Sequence, residues 1–536
     1  MTRPTQTVLI GLDGATFTVL DPLMERGVMP NLAELVAGGT RAPLRTIMPP
    51  LTPPAWTSLM TGKRPGQHGV FDFFQKESPD SEYYSFATSR EVDSPTIWSL
   101  ASDHGRRVIS LNYPLMFPPP AIEGAVVPGG WMPWRQLRLG CHPPGLFDRL
   151  KKLPSFEPKE MALDMQLEAK AIDGCAEDEY ADWIELHTRR ERRWFDILEY
   201  LLVHEQGGDL VGVMFDGPDK LQHLCWRFID VASRPRFPNE WERGIIKLCE
   251  DYFRGLDRMI GQIVELAADD ATIILASDHG FGPAEHVLYI NAWLHQQGWL
   301  AFKDKDAPAD EQPHLGFAEM TRHVYELDWE RTVAYAATPT SQGINIVRRT
   351  PDGTPLPSER RAELREEIAA ALRELRHPET GDRLVLDVHF REEVYGGPHE
   401  HLGPDLSLVL ADGVVMSILQ SEQIVRPLPK PYGTHQWQGI FIASGPEIRQ
   451  GARLEELSIL DVAPTVLYSL DVPLPDDLAG RLPEELFEDG VLERRPPRRV
   501  PVARAAAPEL SGVDAELEPD EEQTIVNRLR ALGYVE

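Results

Sequence analysis

The chain has 536 residues, more than one hydrophobic core ordinarily serves, so two lobes or a large α/β domain with an insertion are expected. Hydrophobic residues make up 42% and charged residues 26%, as in globular proteins. The formal net charge of -30 argues against a nucleic-acid polymer or an anionic membrane surface as the main partner, because both favour basic patches. Four cysteines without a CxxC pair do not indicate a disulfide framework.

The chain begins with a short apolar run, TVLIGLD (7–13), that ends in an aspartate. This run is too short for a signal peptide, and no stretch approaches the roughly 20 apolar residues of a membrane helix. We therefore expect a cytoplasmic protein without a membrane segment. Similar apolar runs, with helical patterns between them, lie at 107–114, 209–216, 271–278 and 439–445. This alternation predicts a doubly wound, mostly parallel α/β sheet.

Residues 301–432 interrupt the alternation with a polar stretch and a charged helical segment, which indicates an inserted cap that would contact the substrate. The core is then expected in two parts, 1–300 and 433–490. Residues 491–536 read as a Pro/Arg/Ala-rich linker followed by a C-terminal amphipathic helix.

Ligands of such sheets collect beyond the carboxyl ends of the strands, so polar residues at those ends are the first candidates. Asp13 ends the first run, and Asp278 is followed by His279 at the end of another. Asp219 and His223 are four residues apart, so on a helix they share one face and can hold one ion together. His435 stands just before the last apolar run. Each residue alone has an ordinary structural explanation, and the set carries the prediction.

Thr52 is followed by two prolines, which predicts that no ordinary helix begins at that residue. A rigid hydroxyl just ahead of a helix N-terminus is well placed to meet a phosphate, although a helix cap is the simpler explanation. With the six acidic and imidazole residues, Thr52 completes a set of three carboxylates, three imidazoles and one hydroxyl. This set suffices for two divalent ions, and its nitrogen and oxygen ligands favour zinc, with manganese as the alternative.

The order D…T…DxxxH…DH…H resembles the alkaline phosphatase superfamily, specifically its type I phosphodiesterase/nucleotide pyrophosphatase branch and uncharacterised prokaryotic relatives, over residues 7–300 and 430–482. The resemblance implies that Thr52 is the nucleophile and forms a phosphothreonine intermediate. It implies one ion held by Asp13, Asp278, His279 and Thr52, and a second held by Asp219, His223 and His435. The function implied is a phosphodiesterase or phosphatase acting on a small phosphorylated substrate.

One departure concerns the stretch HGVFDFF (68–74), where nucleotide-cleaving members carry an asparagine that contacts the phosphate. Asp72 and Phe73 stand near that place, and the Asp72 carboxylate could repel a phosphate, bind a third cation or face away. Lys63, Arg64 and Asn112 are candidate replacements for the phosphate contact.

Two other functions stay open. Phosphoryl transfer between substrate positions, as in the related cofactor-independent phosphoglycerate mutases, fits the large insertion. A non-catalytic metal-binding assembly protein is the second alternative. The sequence does not specify the oligomeric state.

Overall fold

We describe residues 6–76, 84–129, 136–162, 170–171, 174–303, 327–350 and 352–501 in a computed structural model of the chain. A nine-stranded sheet forms the centre of this structure. The spatial order of its strands is Ala452–Arg453, Thr40–Arg45, Gln438–Ser444, Thr272–Ala276, Thr7–Leu12, Leu210–Phe215, Val108–Leu111 and Gly124–Val127, with Leu457–Ser458 also paired to Thr40–Arg45.

The sheet is mostly parallel. Neighbouring strands run parallel from Thr272–Ala276 through Thr7–Leu12 to Gly124–Val127. Gln438–Ser444 is antiparallel to both of its neighbours. The predicted mostly parallel α/β architecture is therefore confirmed.

Helices cover both faces of the sheet, which explains why its strands read as continuous apolar runs. Alternate residues of the strand Thr7–Leu12 belong to different hydrophobic cores, with Ile10 in one and Leu9 in the other. The first core includes residues of the long helices Tyr180–Val203 and Glu240–Leu266. The second includes residues of Thr52–Thr61 and Val462–Ser469. The site described below lies where these layers meet the strand ends.

The described helices differ widely in length. The α-helices are Phe17–Glu25, Pro30–Gly38, Thr52–Thr61, Pro65–His68, Ile97–Asp103, Leu137–Gly140, Leu146–Leu150, Pro158–Met161, Tyr180–Val203, Gly217–Ile229, Glu240–Leu266, Ile290–Gln296, Ser358–Arg373, Arg391–Val394, Val462–Ser469 and Val491–Arg494. Short 3-10 helices lie at Ser89–Glu91, Glu177–Glu179, Glu400–Leu402, Ile459–Asp461 and Glu484–Leu486. None of the helices in these ranges combines the length and the apolar character needed to span a bilayer.

The inserted region has a sheet of its own and a hydrophobic core that it shares with residues 288–300. Its four strands are Ala334–Tyr335, Gly343–Ile346, Leu406–Leu410 and Val385–Phe390, in that spatial order. The helix Ser358–Arg373 buries Leu364, Ile368 and Leu372 in the core of this lobe. We call the lobe formed by residues 327–410 the cap.

A three-stranded sheet joins the cap to the central sheet. Its strands are Gly413–Ser417, Gly280–Tyr289 and Val425–Gln436, in that order. Two small pairings complete the described strands, Phe74–Lys76 with Tyr84–Phe86 and Leu474–Pro475 with Arg499–Val500.

Two features differ from the expectations. The helix Thr52–Thr61 begins at Thr52 itself, with Leu51 as its N-cap, so the prediction that the prolines prevent a helix start there was wrong. Prolines are tolerated in a first turn because the N–H groups there have no partner within the helix. Residues 491–501, predicted as the start of a linker, include a helix and a strand that pairs with Leu474–Pro475. The predicted C-terminal helix lies outside the described residues.

Candidate active site

The polar residues singled out at the strand ends meet at one edge of the central sheet. Asp13 follows the strand Thr7–Leu12, and Asp278 and His279 follow its neighbour Thr272–Ala276. Asp219 lies in the first turn of the helix Gly217–Ile229, which follows the strand on the other side of Thr7–Leu12. His223 lies one helical turn further along. Three adjacent parallel strands therefore bring five of the candidate residues together, as the carboxyl-end rule predicts.

His435 comes from much later in the chain and is placed by strand pairing. It lies near the end of Val425–Gln436, which pairs antiparallel with Gly280–Tyr289, so that His435 stands opposite Phe281. The His435 ring stacks on the His279 ring with 3.7 Å between ring centroids and 22° between ring planes. The strand register of this three-stranded sheet therefore brings the third imidazole, that of His435, to the site.

The first cluster consists of Asp13, Asp278, His279 and Thr52, grouped around one ring nitrogen. His279 Nε2 lies 3.3 Å from Thr52 Oγ1, 3.2 Å from Asp278 Oδ2 and 3.7 Å from Asp13 Oδ1. These two carboxylate oxygens are buried and accept no hydrogen bond from the described residues. The other oxygen of each carboxylate is bonded, since Asp13 Oδ2 accepts from Trp56 Nε1 and Asp278 Oδ1 from Gly14 N. Each carboxylate therefore turns one unsatisfied oxygen toward the same point.

The second cluster consists of Asp219, His223 and His435, whose ligand atoms form a nearly equilateral triangle. The distances are 3.0 Å between the two Nε2 atoms, and 3.4 Å and 3.2 Å from Asp219 Oδ1 to His223 Nε2 and His435 Nε2. Ligands about 2.0–2.1 Å from a tetrahedral zinc lie about 3.3 Å from one another. The triangle therefore fits a divalent cation of this size.

Each of the three imidazoles is fixed by its second nitrogen. The Nδ1 atoms of His223, His279 and His435 lie 3.0, 3.1 and 2.9 Å from the carbonyl oxygens of Gly433, Gly280 and Pro50. A carbonyl oxygen only accepts, so Nδ1 carries the hydrogen and each neutral ring presents the lone pair of Nε2 to the site. Metal-binding histidines are typically oriented by such a bond.

The electrostatics of the clusters also call for a cation. Burial, and then the charges of Asp278 and Asp219, raise the pKa of Asp13 well above its usual value. Burial likewise raises the pKa of Asp278 to about 8. For Asp219 burial acts in the same direction, but His223 and His435 outweigh it and hold the pKa of this carboxyl well below its usual value. Three buried carboxylates so close together are costly unless positive charge is added.

Burial, and for His279 the neighbouring His435, lower the pKa values of His279 and His435. Both rings are therefore neutral at ordinary pH and suited to bind a cation. His279 lies between the two clusters, because its ligand atom is close enough to hold an ion either with Asp13 and Asp278 or with Asp219 and His435.

Several residues around the site were not singled out from the sequence. Trp56 donates to Asp13 and lies four residues after Thr52, so the i, i+4 spacing on one helix could have revealed it. Gln222 Nε2 donates to the Gly14 carbonyl at 2.8 Å and so ties the helix Gly217–Ile229 to the Asp13 turn. Phe281 packs edge-on against His223 with 4.8 Å between ring centroids.

The N-terminus of the helix Gly217–Ile229 is held by two other helices. Glu191 Oε1 accepts from Gly217 N at 2.5 Å and from the Tyr252 hydroxyl at 3.1 Å. A β-carbon on Gly217 would lie 2.2 Å from that carboxylate oxygen and 2.3 Å from the hydroxyl. The close approach fixes the turn that carries Asp219, and nothing in the local sequence indicated it.

Gly62 and His68, which follow Thr52 in the chain, stabilise the backbone around the helix Thr52–Thr61. Gly62 ends the helix Thr52–Thr61 at a φ of 66°, a region that favours glycine. His68 Nδ1 accepts from Val70 N, so its Nε2–H donates to Ser58 Oγ at 2.9 Å. Burial lowers the pKa of His68 to about 3, so the ring stays neutral. The stretch that follows the helix is thereby held against the helix.

The departures from the family pattern have local explanations. Asp72 faces the cap, where its carboxylate accepts from the hydroxyls of Thr338 and Thr340. Lys63 forms an ion pair with Asp477. Asn112 Nδ2 donates to the Met214 carbonyl at 2.9 Å.

The sequence profile of the type I phosphodiesterase / nucleotide pyrophosphatase family matches residues 7–438. The chain belongs to this family. It is accordingly a hydrolase that acts on phosphoester bonds, as predicted. The family is metal-dependent, and the described residues include two candidate metal-binding groups, Asp13 with Asp278 and His279, and Asp219 with His279 and His435.

Solved structures share the fold. Murine ectonucleotide pyrophosphatase/phosphodiesterase 5 is 14% identical with a TM-score of 0.53, over 90% of this chain and 100% of the murine chain. An inactive variant of it with one threonine replaced by alanine, in complex with AMP, is 14% identical with a TM-score of 0.50, over 87% and 95%. Phosphonoacetate hydrolase from Sinorhizobium meliloti 1021, in complex with phosphonoformate, is 18% identical with a TM-score of 0.52, over 88% and 96%.

At these identities the likeness establishes the alkaline phosphatase-like fold alone. No curated protein matches this sequence.

Proposed function

We propose that this hydrolase uses Thr52 as its nucleophile, with two divalent cations, zinc in the first instance, held by the two clusters. Asp13, Asp278, His279 and Thr52 would hold one ion, and Asp219, His223 and His435 the other. The observation that carries the proposal is the convergence of the unsatisfied oxygens of Asp13 and Asp278 on His279 Nε2, 3.3 Å from Thr52 Oγ1.

The charge balance supports this assignment. In the ionised state that metal binding requires, the three carboxylates contribute a charge of -3, which would repel a phosphate. Two divalent cations change that charge to +1, so that an anionic phosphoester is attracted. The overall charge of -30 therefore does not oppose binding of a small phosphorylated substrate.

The reaction proceeds by two displacements at phosphorus. Divalent cations in such a site lower the pKa of a bound hydroxyl and offset charge on phosphoryl oxygens. The Thr52 hydroxyl gives its proton to water, and its oxygen attacks phosphorus while the bond to the leaving oxygen breaks, which produces phosphothreonine and an alkoxide that takes a proton from water. Water then attacks the same phosphorus and loses a proton, the Thr52–phosphorus bond breaks, the Thr52 oxygen takes up a proton, and the phosphate product leaves.

The position of Thr52 suits this role. Its backbone forms the first residue of the helix Thr52–Thr61, where the helix dipole favours an anion, although the next two residues are prolines and have no N–H to donate. The side chain is 3% exposed, so its oxygen is fixed in place. The inactive murine variant also has a threonine replaced by alanine, which agrees with a threonine nucleophile.

The test is hydrolysis of phosphomonoesters, phosphodiesters and phosphonates by the full chain, with and without chelator. We expect turnover of at least one class, its loss in chelator and its recovery on addition of Zn²⁺ or Mn²⁺. Thr52→Ala should lower kcat by on the order of 10³-fold or more. An acid-quenched reaction of the wild type should contain the peptide with phosphorylated Thr52.

Thr57→Ala is the matched control, because the Thr57 hydroxyl donates only to the Pro53 carbonyl of its own helix, at 2.7 Å. It should keep the activity that Thr52→Ala loses. Undiminished turnover by Thr52→Ala, or turnover that is indifferent to chelator, would refute the proposal. Turnover of the phosphonates tests whether this chain, which shares its fold with phosphonoacetate hydrolase, also cleaves a C–P bond.

A further inference from the structure

A group of four arginines lies at one end of the cap sheet, outside the metal clusters. Arg348 follows the strand Gly343–Ile346, and Arg391 follows Val385–Phe390. Arg361 and Arg365 lie one turn apart on the helix Ser358–Arg373, so they share a face. We call these four residues the arginine cluster.

The cluster has more positive charge than its carboxylates neutralise. One oxygen of the buried Asp405 accepts from Arg361 Nη2 at 3.1 Å and forms an ion pair with Arg391 Nη2 at 2.9 Å. Glu392 accepts from Arg365 Nη2 with both oxygens, at 2.8 and 2.7 Å. Two carboxylates thus face four guanidinium groups, a surplus of two positive charges in a chain whose net charge is -30.

Arg348 contributes to this surplus. Its Nη2 donates to the His401 carbonyl at 2.6 Å, and it forms no ion pair with any carboxylate among the residues that the structure describes. Burial, and then the charges of Arg348, Arg361 and Arg365, lower the pKa of Arg391 despite the opposing effect of Asp405. The cations therefore repel one another, and an added anion would relieve that repulsion.

The cluster also has hydrogen-bond donors without acceptors. The Nε atoms of Arg361 and Arg365 are buried and reach no acceptor within the described ranges. A buried donor left without an acceptor is unfavourable. The side chains of Arg361, Arg365 and Arg391 are still 27%, 20% and 13% exposed, so a small molecule can reach the cluster.

A purely structural clamp explains only part of this arrangement. Asp405 ties the helix Ser358–Arg373 to the cap sheet, because its second oxygen accepts from Ile346 N at 2.8 Å. That clamp uses Arg361 and Arg391 and requires neither Arg348 nor a surplus charge. Guanidinium groups match the oxygens of phosphate and carboxylate ligands. We propose that the arginine cluster binds a phosphate-like oxyanion carried by a small molecule.

A series of backbone contacts connects the cluster with the core. The His401 carbonyl that accepts from Arg348 follows the segment 395–400, which packs on the stretch after the Thr52 helix. His399 N donates to the Gly66 carbonyl at 2.9 Å, and a β-carbon on Gly66 would lie 2.1 Å from the Gly396 carbonyl oxygen. The anion can therefore belong to a substrate that also reaches the core or to a separate phosphorylated effector.

The test titrates inorganic phosphate into the full-length protein by calorimetry, with and without EDTA. EDTA abolishes phosphate binding that depends on metal ions, whereas binding at the arginine cluster persists with a stoichiometry of about one phosphate per chain. Arg348→Gln and Arg365→Gln should each weaken the EDTA-resistant binding by about tenfold or more, since a charge-assisted hydrogen bond contributes on the order of 1.4 kcal/mol or more.

Arg360→Gln is the matched control, because Arg360 lies on the same helix but pairs with Glu363 and Glu367 at the surface. It should bind phosphate like the wild type. Absence of EDTA-resistant binding at millimolar phosphate, or equal weakening in Arg360→Gln, would overturn the proposal. Thermal unfolding identifies a misfolded variant, and Arg348→Gln is informative in any case because it removes only one bond to a carbonyl. This binding does not depend on catalysis, so an inactive chain would defeat the proposed function and leave the arginine cluster testable.

Kinetics separate the two sources of the anion. If the substrate supplies it, Arg348→Gln raises KM for a phosphodiester with a second phosphate, leaves its kcat unchanged and does not affect a diester without that group. If a separate effector supplies it, both KM values stay unchanged while EDTA-resistant binding is lost. An equal rise of both KM values would count against the proposal, because the substitution would then act by distorting the protein.

Discussion

The core and the cap both bury aspartates, but they treat them differently. Asp13 and Asp278 in the core are each 1% exposed, and each keeps one oxygen without a hydrogen bond from the described residues. Asp72, which contacts the cap, and Asp405, which belongs to it, are 7% and 3% exposed. Both oxygens of each accept hydrogen bonds, from hydroxyls and a backbone N–H for Asp72 and from a guanidinium group and a backbone N–H for Asp405. A buried carboxylate whose two oxygens both accept hydrogen bonds stabilises the fold. A pair of buried carboxylates that each keep an oxygen without a hydrogen bond needs a cation.

The largest expected effect comes from removing a carboxylate of the unsatisfied pair. Asp278→Asn should lower phosphoester hydrolysis by on the order of 10³-fold or more, because the charge that holds the cation is lost. The same variant should be at least as stable as the wild type in EDTA, since one of two like charges is gone. Hydrolysis with excess Zn²⁺ and thermal unfolding in EDTA measure the two effects. Full activity of Asp278→Asn would show that Asp278, like Asp72 and Asp405, only stabilises the fold.

Asp405→Asn should show the opposite pattern. Two arginines would lose the negative charge that they share, and breaking such a buried pair costs about 3–5 kcal/mol. We expect a loss of that order in the free energy of unfolding measured in urea, with kcat of the folded protein unchanged. A stable variant with impaired kcat would break the distinction between the two kinds of aspartate.

Asp72 provides a test by pH. Burial raises its pKa from 3.8 to about 6, although Thr338 and Thr340 counteract this. The folded state then binds the proton more tightly than the unfolded state, so the stabilising contribution is complete below pH 4 and disappears as the pH rises through 6. The stability of the wild type should therefore fall relative to Asp72→Asn between pH 4 and 7, by up to about 3 kcal/mol. Parallel profiles from denaturant melts would refute this assignment.

The smallest expected effect concerns the support of the second cluster. Gly217→Ala should weaken metal binding by about 10–100-fold, because the added carbon displaces the turn that carries Asp219. Metal titration of the chelator-treated chain measures this change. Gly244→Ala is the control, since a β-carbon there meets nothing within 4 Å. Equal metal affinities of the two variants would show that the contacts of Glu191 and Tyr252 with this turn do not affect metal binding.

The sequence was informative wherever a local pattern fixed the geometry. The apolar runs that end in Asp13 and Asp278 are strands that place those carboxylates at one sheet edge, and the i, i+4 spacing of Asp219 and His223 puts both on one helix face. The helix start at Thr52 was missed because proline was taken as a barrier, although a first turn accepts it.

Residues that meet only through folding could not be predicted. Glu191, Gly217 and Tyr252 lie on three helices, and no spacing in the chain announces their contact. The orientation of Asp72 toward Thr338 and Thr340 depends on how the cap packs on the core, which is settled by contacts more than 260 residues apart.

The sequence by itself determined the sheet, the family and the identity of the residues at the candidate metal site, because hydrophobic periodicity and ligand chemistry are properties of short segments. Only the tertiary structure decided which oxygen of each carboxylate stays unsatisfied, which ring nitrogen faces the site and where the four arginines gather. Those outcomes depend on the burial and mutual distance of side chains from separate elements, and both quantities exist only once the chain has folded.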